Sequence, residues 1–136
     1  MAATATATAT ASPPDPLPAF VYKITPTAPP SPLPDVYPLS ELDGKDGFIH
    51  LSTAAQIPTT AALYFSATPS LHLLKLRLSP RLAAATRWDA PAGPGCPHLY
   101  ANFGAADVVA TREVRRAEGT TWAQALAPVR EEGWLL

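Results

Sequence analysis

Two of the chain's three histidines stand in short apolar segments beside groups that can share chemistry with an imidazole. The first lies in Asp46-Gly47-Phe48-Ile49-His50-Leu51-Ser52-Thr53, where a turn pair opens a short apolar run. Side chains of an extended strand alternate between faces, so Phe48 and His50 share one face and Ile49 and Leu51 the other. A second segment, Pro97-His98-Leu99-Tyr100, repeats the arrangement about fifty residues later. A polar group on an apolar strand needs a partner, because leaving it buried and unsatisfied costs roughly 1–3 kcal/mol. Imidazole titrates near neutral pH, so His50 and His98 together suit acid–base catalysis or the clasping of one ligand. Two structural histidines, each bonded to a backbone carbonyl, fit the same pattern.

Arg87-Trp88-Asp89 is the next constellation. An indole between a guanidinium and a carboxylate can wall a pocket and fix an anion or an amide. An Arg–Asp surface pair with Trp88 in the core reads equally well. Ser52 and Thr53 are placed as helix caps, and no Gly-x-Ser-x-Gly elbow surrounds them, which argues against an acyl-transfer serine. No Gly-x-Gly-x-x-Gly occurs, which excludes a Rossmann site. Zinc is poorly served: two histidines without a carboxylate at fixed spacing make half a site, and His72 falls on a leucine-rich strand. Cys96 is the single cysteine, so an internal disulfide is excluded, and it reads as a small loop residue.

The elements that must position these groups are short. Phe20 to Thr25 reads as a strand from its β-branched and aromatic residues. Residues Pro26 to Pro38 hold six prolines and form a long loop over one edge of the fold. Ser40 to Gly44 reads as a turn. After the His50 strand, Thr53 with Gln56 three residues on makes a capping box, and Pro58 allows a helix to restart. Thr59 to Ser66 is a short buried helix. Leu71 to Leu78 is the clearest central strand, with Leu74, Leu76 and Leu78 on one face opposite Lys75 and Arg77. Leu82 to Ala85 is a helical turn, Arg87 to Asp89 a short extended piece, and Ala90 to Pro97 a Gly/Pro loop. His98 follows in a short strand, Val108 to Val114 in another, and Thr120 or Thr121 caps a last helix through Leu126. These elements predict an α+β domain: a small curved, split β-sheet with two short helices.

With 136 residues the chain has room for one domain, expected over residues 19–136. Residues 1–18, an Ala-Thr repeat followed by a proline-rich run, are expected to be a disordered leader. It lacks the basic n-region of a secretory signal and the arginines of a mitochondrial presequence, and no apolar run approaches a membrane span. A cytoplasmic location is the expectation. The net charge of −1, from 10 basic and 11 acidic residues, argues against a nucleic-acid partner. A small-molecule ligand is the expected partner.

Taken together, Tyr22-Lys23-Ile24, Asp46 through Thr53, Gln56, Tyr64-Phe65, Arg87-Trp88-Asp89 and Pro97-His98-Leu99-Tyr100 resemble the domain-of-unknown-function 952 family from about Phe20 to Val114. Asp89 stands where that family typically has a glutamate, and Cys96 where a phenylalanine often precedes the Pro-His. The resemblance implies an ADP-ribosyltransferase-like fold, which binds NAD in a cleft between two sheets. In active members of that superfamily an early strand supplies a His or Arg to the nicotinamide ribose, a hydroxyl or aromatic assists, and a late glutamate orients the acceptor. His50 with Ser52 looks like the first element, and Tyr64 or His98 like the second. Glu113 is the late glutamate available, without a transferase signature around it.

Three functions follow as expectations. The leading one is a cleft for a nucleotide such as NAD, with ADP-ribosyltransferase-like activity. In it His50 and His98 are the catalytic pair, and Ser52, Tyr64, Arg87, Trp88, Asp89 and Tyr100 contact the ligand. The second is a small-molecule lyase or cyclase that uses His50 and His98 as acid and base without NAD. The third is a non-catalytic binding module.

Overall fold

The computed structural model describes residues 12–89 and 95–136. The Ala-Thr part of the expected leader and residues 90–94 of the Gly/Pro loop lie outside the described residues. In chain order the elements are β1 (Phe20–Thr25), α1 (Glu41–Asp46), β2 (Ile49–His50), a 3-10 turn (Ala54–Gln56), α2 (Ile57–Tyr64), β3 (Ser70–Arg77), α3 (Pro80–Ala84), β4 (Thr86–Asp89), β5 (Cys96–Leu99), β6 (Val108–Arg115) and α4 (Trp122–Glu131). The fold is α+β. Its strands form two antiparallel sheets, ordered β1-β3-β6 and β2-β5-β4. They meet where Tyr22 and Ser52 exchange backbone hydrogen bonds of 2.8 and 2.9 Å.

Central strand β3 is apolar on both faces. Leu71 and Leu73 pack with Tyr22, Ile24 and Val114 against Ile57 and Ala61 of α2 and Trp122, Leu126 and Val129 of α4. Leu74 and Leu76 face the other way and pack with Val21 against Ile49, Leu51, Leu82, Leu99 and Phe103. The first sheet is therefore sandwiched between helices and the second sheet. The polar face expected around Lys75 is instead filled by leucines, and Lys75 itself is buried. Its Nζ donates to the carbonyl of Trp134 at 2.7 Å and lies 4.5 Å from the centre of the Phe20 ring. Burial holds this ammonium below the usual lysine range. The segment Trp134-Leu135-Leu136 covers the same sheet: Leu135 is buried, and the Leu136 amide donates to Tyr22 Oη at 2.8 Å.

The two helices expected from the sequence are α2 and α4, the longest of the four. Both begin as their sequences dictate. Thr53 and Gln56 form the capping box before α2, with Pro58 in its first turn, and Thr121 and Gln124 form another before α4. The stretch read as a turn at Ser40 is the start of α1, where Ser40 Oγ accepts from the Asp43 amide at 3.1 Å. Gly47 ends that helix at φ 82°, a left-handed conformation that favours glycine. The proline loop is pinned rather than free: Tyr37 stacks on Phe103 with ring centres 5.0 Å apart, and its amide donates to the Phe103 carbonyl at 2.7 Å. Among the described residues no helix is long and apolar enough to cross a membrane.

Leu76 is fully buried between the sheets, whereas Leu63 on α2 is 69% exposed. Leu76→Ala is expected to cost about 2–5 kcal/mol in urea unfolding, and Leu63→Ala no more than about 0.5 kcal/mol. Equal losses would contradict this layering.

Candidate functional site on the second sheet

Register puts the chemistry in a row. His50 of β2 lies opposite His98 of β5, and His98 lies opposite Arg87 of β4, so all three project from one face of the second sheet. The two imidazole centres are 5.4 Å apart. Beside this row stand Phe48 and Tyr100, with ring centres 5.2 Å apart. Phe48 stacks on His98 at 4.3 Å and tilts against His50 at 4.6 Å. The Arg87 guanidinium sits 5.3 Å from the centre of the Tyr100 ring. The opposite face of the sheet carries Ile49, Leu51 and Leu99 into the core, which is the alternation that the sequence demands.

Each imidazole is held at Nδ1 by a carboxylate. Asp89 Oδ2 lies 2.8 Å from His98 Nδ1, and Asp43 Oδ1 lies 2.7 Å from His50 Nδ1. Asp43 does more. Its Oδ1 also accepts from the His50 backbone amide at 3.1 Å, and its Oδ2 accepts from Lys23 Nζ at 2.6 Å. Lys23 in turn reaches the His50 carbonyl at 3.3 Å. The Asp43 side chain is 2% exposed and that of Lys23 9%, so this is a buried ion pair that meets an imidazole. Burial by itself would push the Asp43 carboxyl up, but the Lys23 and His50 contacts outweigh it and hold it below the usual carboxylate range. Asp46, on the last turn of α1, places Oδ2 3.0 Å from His50 Nε2. Both ring nitrogens of His50 therefore face carboxylates.

The structure brings together five residues expected at the site: His50, His98, Arg87, Asp89 and Tyr100. It separates the other three. Trp88 points the opposite way from Arg87 and Asp89 and packs on the core between the sheets. Ser52 is buried at the junction of the sheets, its Oγ 3.5 Å from Thr60 Oγ1. Tyr64 ends α2 and is largely exposed, with no contact to the histidines among the described residues. Glu113 sits on β6, separated from the histidine row by β3 and β1, and pairs with Arg115 at 3.4 Å. Burial, then the nearby Asp89, push the Cys96 thiol up, which suits a small packing residue rather than a nucleophile. Gly95 leads into β5 where a Cβ would collide with the Asp89 carbonyl, so only glycine fits this approach.

Lys23, Asp43, Asp46 and the ring of Phe48 were missing from the residues expected at the site. One signal was available. Lys23 is a charge on an apolar strand, the same anomaly that drew attention to His50. Asp43 carried none, because an acid in a short polar stretch reads as solvated. Behind Phe48 lies a cavity of about 180 Å³ bordered by Leu39, Asp43, Leu99 and Asn102. A larger depression of about 440 Å³, at Ala67, Arg116, Gly119 and Thr120, contains none of the site's groups. Among the described residues no group of three or more His, Cys, Asp or Glu is arranged to hold a metal ion.

Comparison with known proteins adds the family. The one described as "Protein of unknown function (DUF952)" matches residues 32–111, more than half of the chain. The chain is a member of the DUF952 family. The match is narrower than the span from Phe20 to Val114 expected from sequence, and it leaves β1 and α4 outside. The crystal structure of CC0527 from Caulobacter crescentus is similar at 26% identity and a TM-score of 0.57, over 75% of this chain and 91% of that one. Its solution structure is similar at 28% identity and a TM-score of 0.60, over 76% and 91%. No curated protein matches. Within this DUF952 chain the histidine row, Asp43, Asp46 and Asp89 all fall inside the matched segment, whereas Lys23 falls outside it.

Removing Asp43's charge strands Lys23 in the interior. Asp43→Asn is expected to destabilise the protein by about 3–5 kcal/mol at pH 7, the usual cost of breaking a buried pair. Because the native carboxyl is held low, its contribution is complete above the ordinary carboxylate range and fades as pH falls through the native value. Urea unfolding from pH 7 to pH 3 should show the gap between wild type and Asp43→Asn narrowing below about pH 4. A gap that widens there would reverse the assigned sign.

Proposed function

We propose that the histidine row is the binding and reaction site for a small ring-bearing ligand, a nucleotide such as NAD in class. One observation carries this reading: two imidazoles directly opposed in register, each with a carboxylate at Nδ1, beside two aromatic rings and a guanidinium. A carboxylate at Nδ1 fixes the tautomer and orientation of an imidazole and leaves Nε2 to act on a substrate. For His98 that nitrogen has no hydrogen-bond partner among the described residues, so His98 is the proton carrier. His50, with carboxylates at both nitrogens, is a fixed donor that holds the ligand. Phe48 and Tyr100 offer ring faces for stacking, and Arg87 meets an anionic group.

The ADP-ribosyltransferase-like fold that the sequence resemblance implies supports NAD as the ligand and glycosidic cleavage as the reaction. That support is by analogy of fold. An oxocarbenium-like state would gain from the Asp89 carboxylate close to the His98 imidazole. Since Glu113 is remote, Asp89 is the carboxylate available to orient an acceptor. The Asp89–His98 pair also favours a second reading, a lyase or cyclase with His98 as general base and no nucleotide.

A thermal-shift titration with NAD on wild type, His50→Ala and His98→Ala tests the site. NAD at about 100 times its dissociation constant should add roughly 2.7 kcal/mol of stability to wild type, and both variants should lose that gain. Once turnover is found, His98→Ala should slow it at least about a hundredfold. Stabilisation that persists in both variants would place the ligand elsewhere. Absence of any shift with NAD would remove the nucleotide and leave the acid–base reading.

A further inference from the structure

The two nitrogens of His50 are not held alike. At Nδ1, Asp43 is a buried carboxylate committed at once to the ring, the His50 amide and the Lys23 ammonium. It cannot leave without stranding a buried charge. At Nε2, Asp46 makes a single ion-pair contact of 3.0 Å, and its side chain is more than a third exposed. Such exposed pairs are weak. Asp46 also sits at the carboxyl end of α1, where the free carbonyls disfavour a second negative charge. Rotation of its side chain alone returns the carboxylate to water.

We propose that His50 Nε2 is an oxyanion subsite, closed in the free protein by the Asp46 carboxylate and opened when a phosphate or carboxylate group of the ligand displaces it. Asp46 is then an internal stand-in for the ligand's own anion. The chemistry around the subsite agrees. An imidazolium presents an N–H at both nitrogens, so it can hold Asp43 and an incoming oxyanion together. Arg87 lies two strands away in the same row, about 10 Å by strand spacing and within reach of a long side chain. Its contact with Asp89 is loose, at 4.0 Å, and its side chain is mostly exposed, so the guanidinium is available to a second oxygen of the same ligand. The inference deepens the proposed function by naming the group that the ligand must carry. It rests on that reading for the location of the site but not for the ligand's identity.

The test uses the full chain and two simple probes, inorganic phosphate and acetate, titrated by calorimetry while the His50 ring is followed by NMR. Asp46→Asn should tighten binding of one or both anions severalfold, up to about fivefold for the loss of one exposed pair, and anion addition should shift the His50 ring resonances. Glu41→Gln removes the same charge from the same helix, away from the ring, and should leave affinity unchanged. Asp46→Asn combined with His50→Gln should abolish the gain. Thermal unfolding of each variant confirms that it is folded. Equal tightening in Glu41→Gln would reduce the effect to net charge and overturn the proposal. So would affinity unchanged in Asp46→Asn, no measurable binding in that variant, or binding that survives His50→Gln. Should phosphate bind as described while NAD does not, the nucleotide reading alone fails.

Discussion

The Asp43 carboxylate is the point on which both the fold and the site depend. It joins Lys23 from the first sheet to His50 from the second, and it does so out of water. Charges carried into a protein interior cost several kcal/mol each, so such an arrangement persists only when every oxygen is used. Here each is: one oxygen takes the ammonium, and the other takes the ring and the amide of His50. The backbone junction of the two sheets, between Tyr22 and Ser52, is one residue from Lys23 and two from His50. Ionic tie and backbone tie thus reinforce the same seam. α1 is six residues long, too short to persist by its own hydrogen bonds, and the Asp43 contacts together with the Ser40 cap hold it there.

A second seam closes the other face. Tyr22 buries its ring against α2 and α4 while its hydroxyl accepts the Leu136 amide, and Lys75 beside it holds the Trp134 carbonyl. Strand β1 therefore presents Lys23 to the histidine site and Tyr22 to the carboxyl-terminal segment. Alternation along one strand connects the two ends of the domain, and β3, with buried leucines on both faces, gives β1 a rigid neighbour.

How much of this was legible in the sequence follows from the range of the interactions. The capping box at Thr53, a threonine cap at Thr120 or Thr121 and the strands at Phe20 and Leu71 are written in residues a few positions apart, and the structure has them, with the last cap at Thr121. The pairing of His50 with His98 was suggested by two similar segments, but their register is a property of the sheet. Trp88 illustrates the limit. Its neighbour Asp89 holds His98 and Arg87 lies opposite it in register, yet alternation sends the indole into the core, and three adjacent letters do not say which parity faces the ligand. Tyr64 was tied to the site only by likeness to a fold. Lys23 and Asp43 are 20 residues apart, and nothing local to either announces the other. Buried charge pairs become visible only once two elements have docked.

The two histidines, alike in sequence setting, are therefore unlike in physical situation. His50 is attached to the interior: its ring, amide and carbonyl all contact Asp43 or Lys23, so any strain at the seam between the sheets reaches it directly. His98 is attached to the surface of its own sheet, through Asp89 on the adjacent strand and the stacked ring of Phe48. A group fixed by buried charges is suited to holding a ligand in one position. A group backed by a partly exposed carboxylate, with its outer nitrogen uncommitted, is suited to exchanging a proton with that ligand. Sheet register makes them neighbours, and the different burial of their two carboxylates, 2% exposed for Asp43 against 34% for Asp89, makes them different tools.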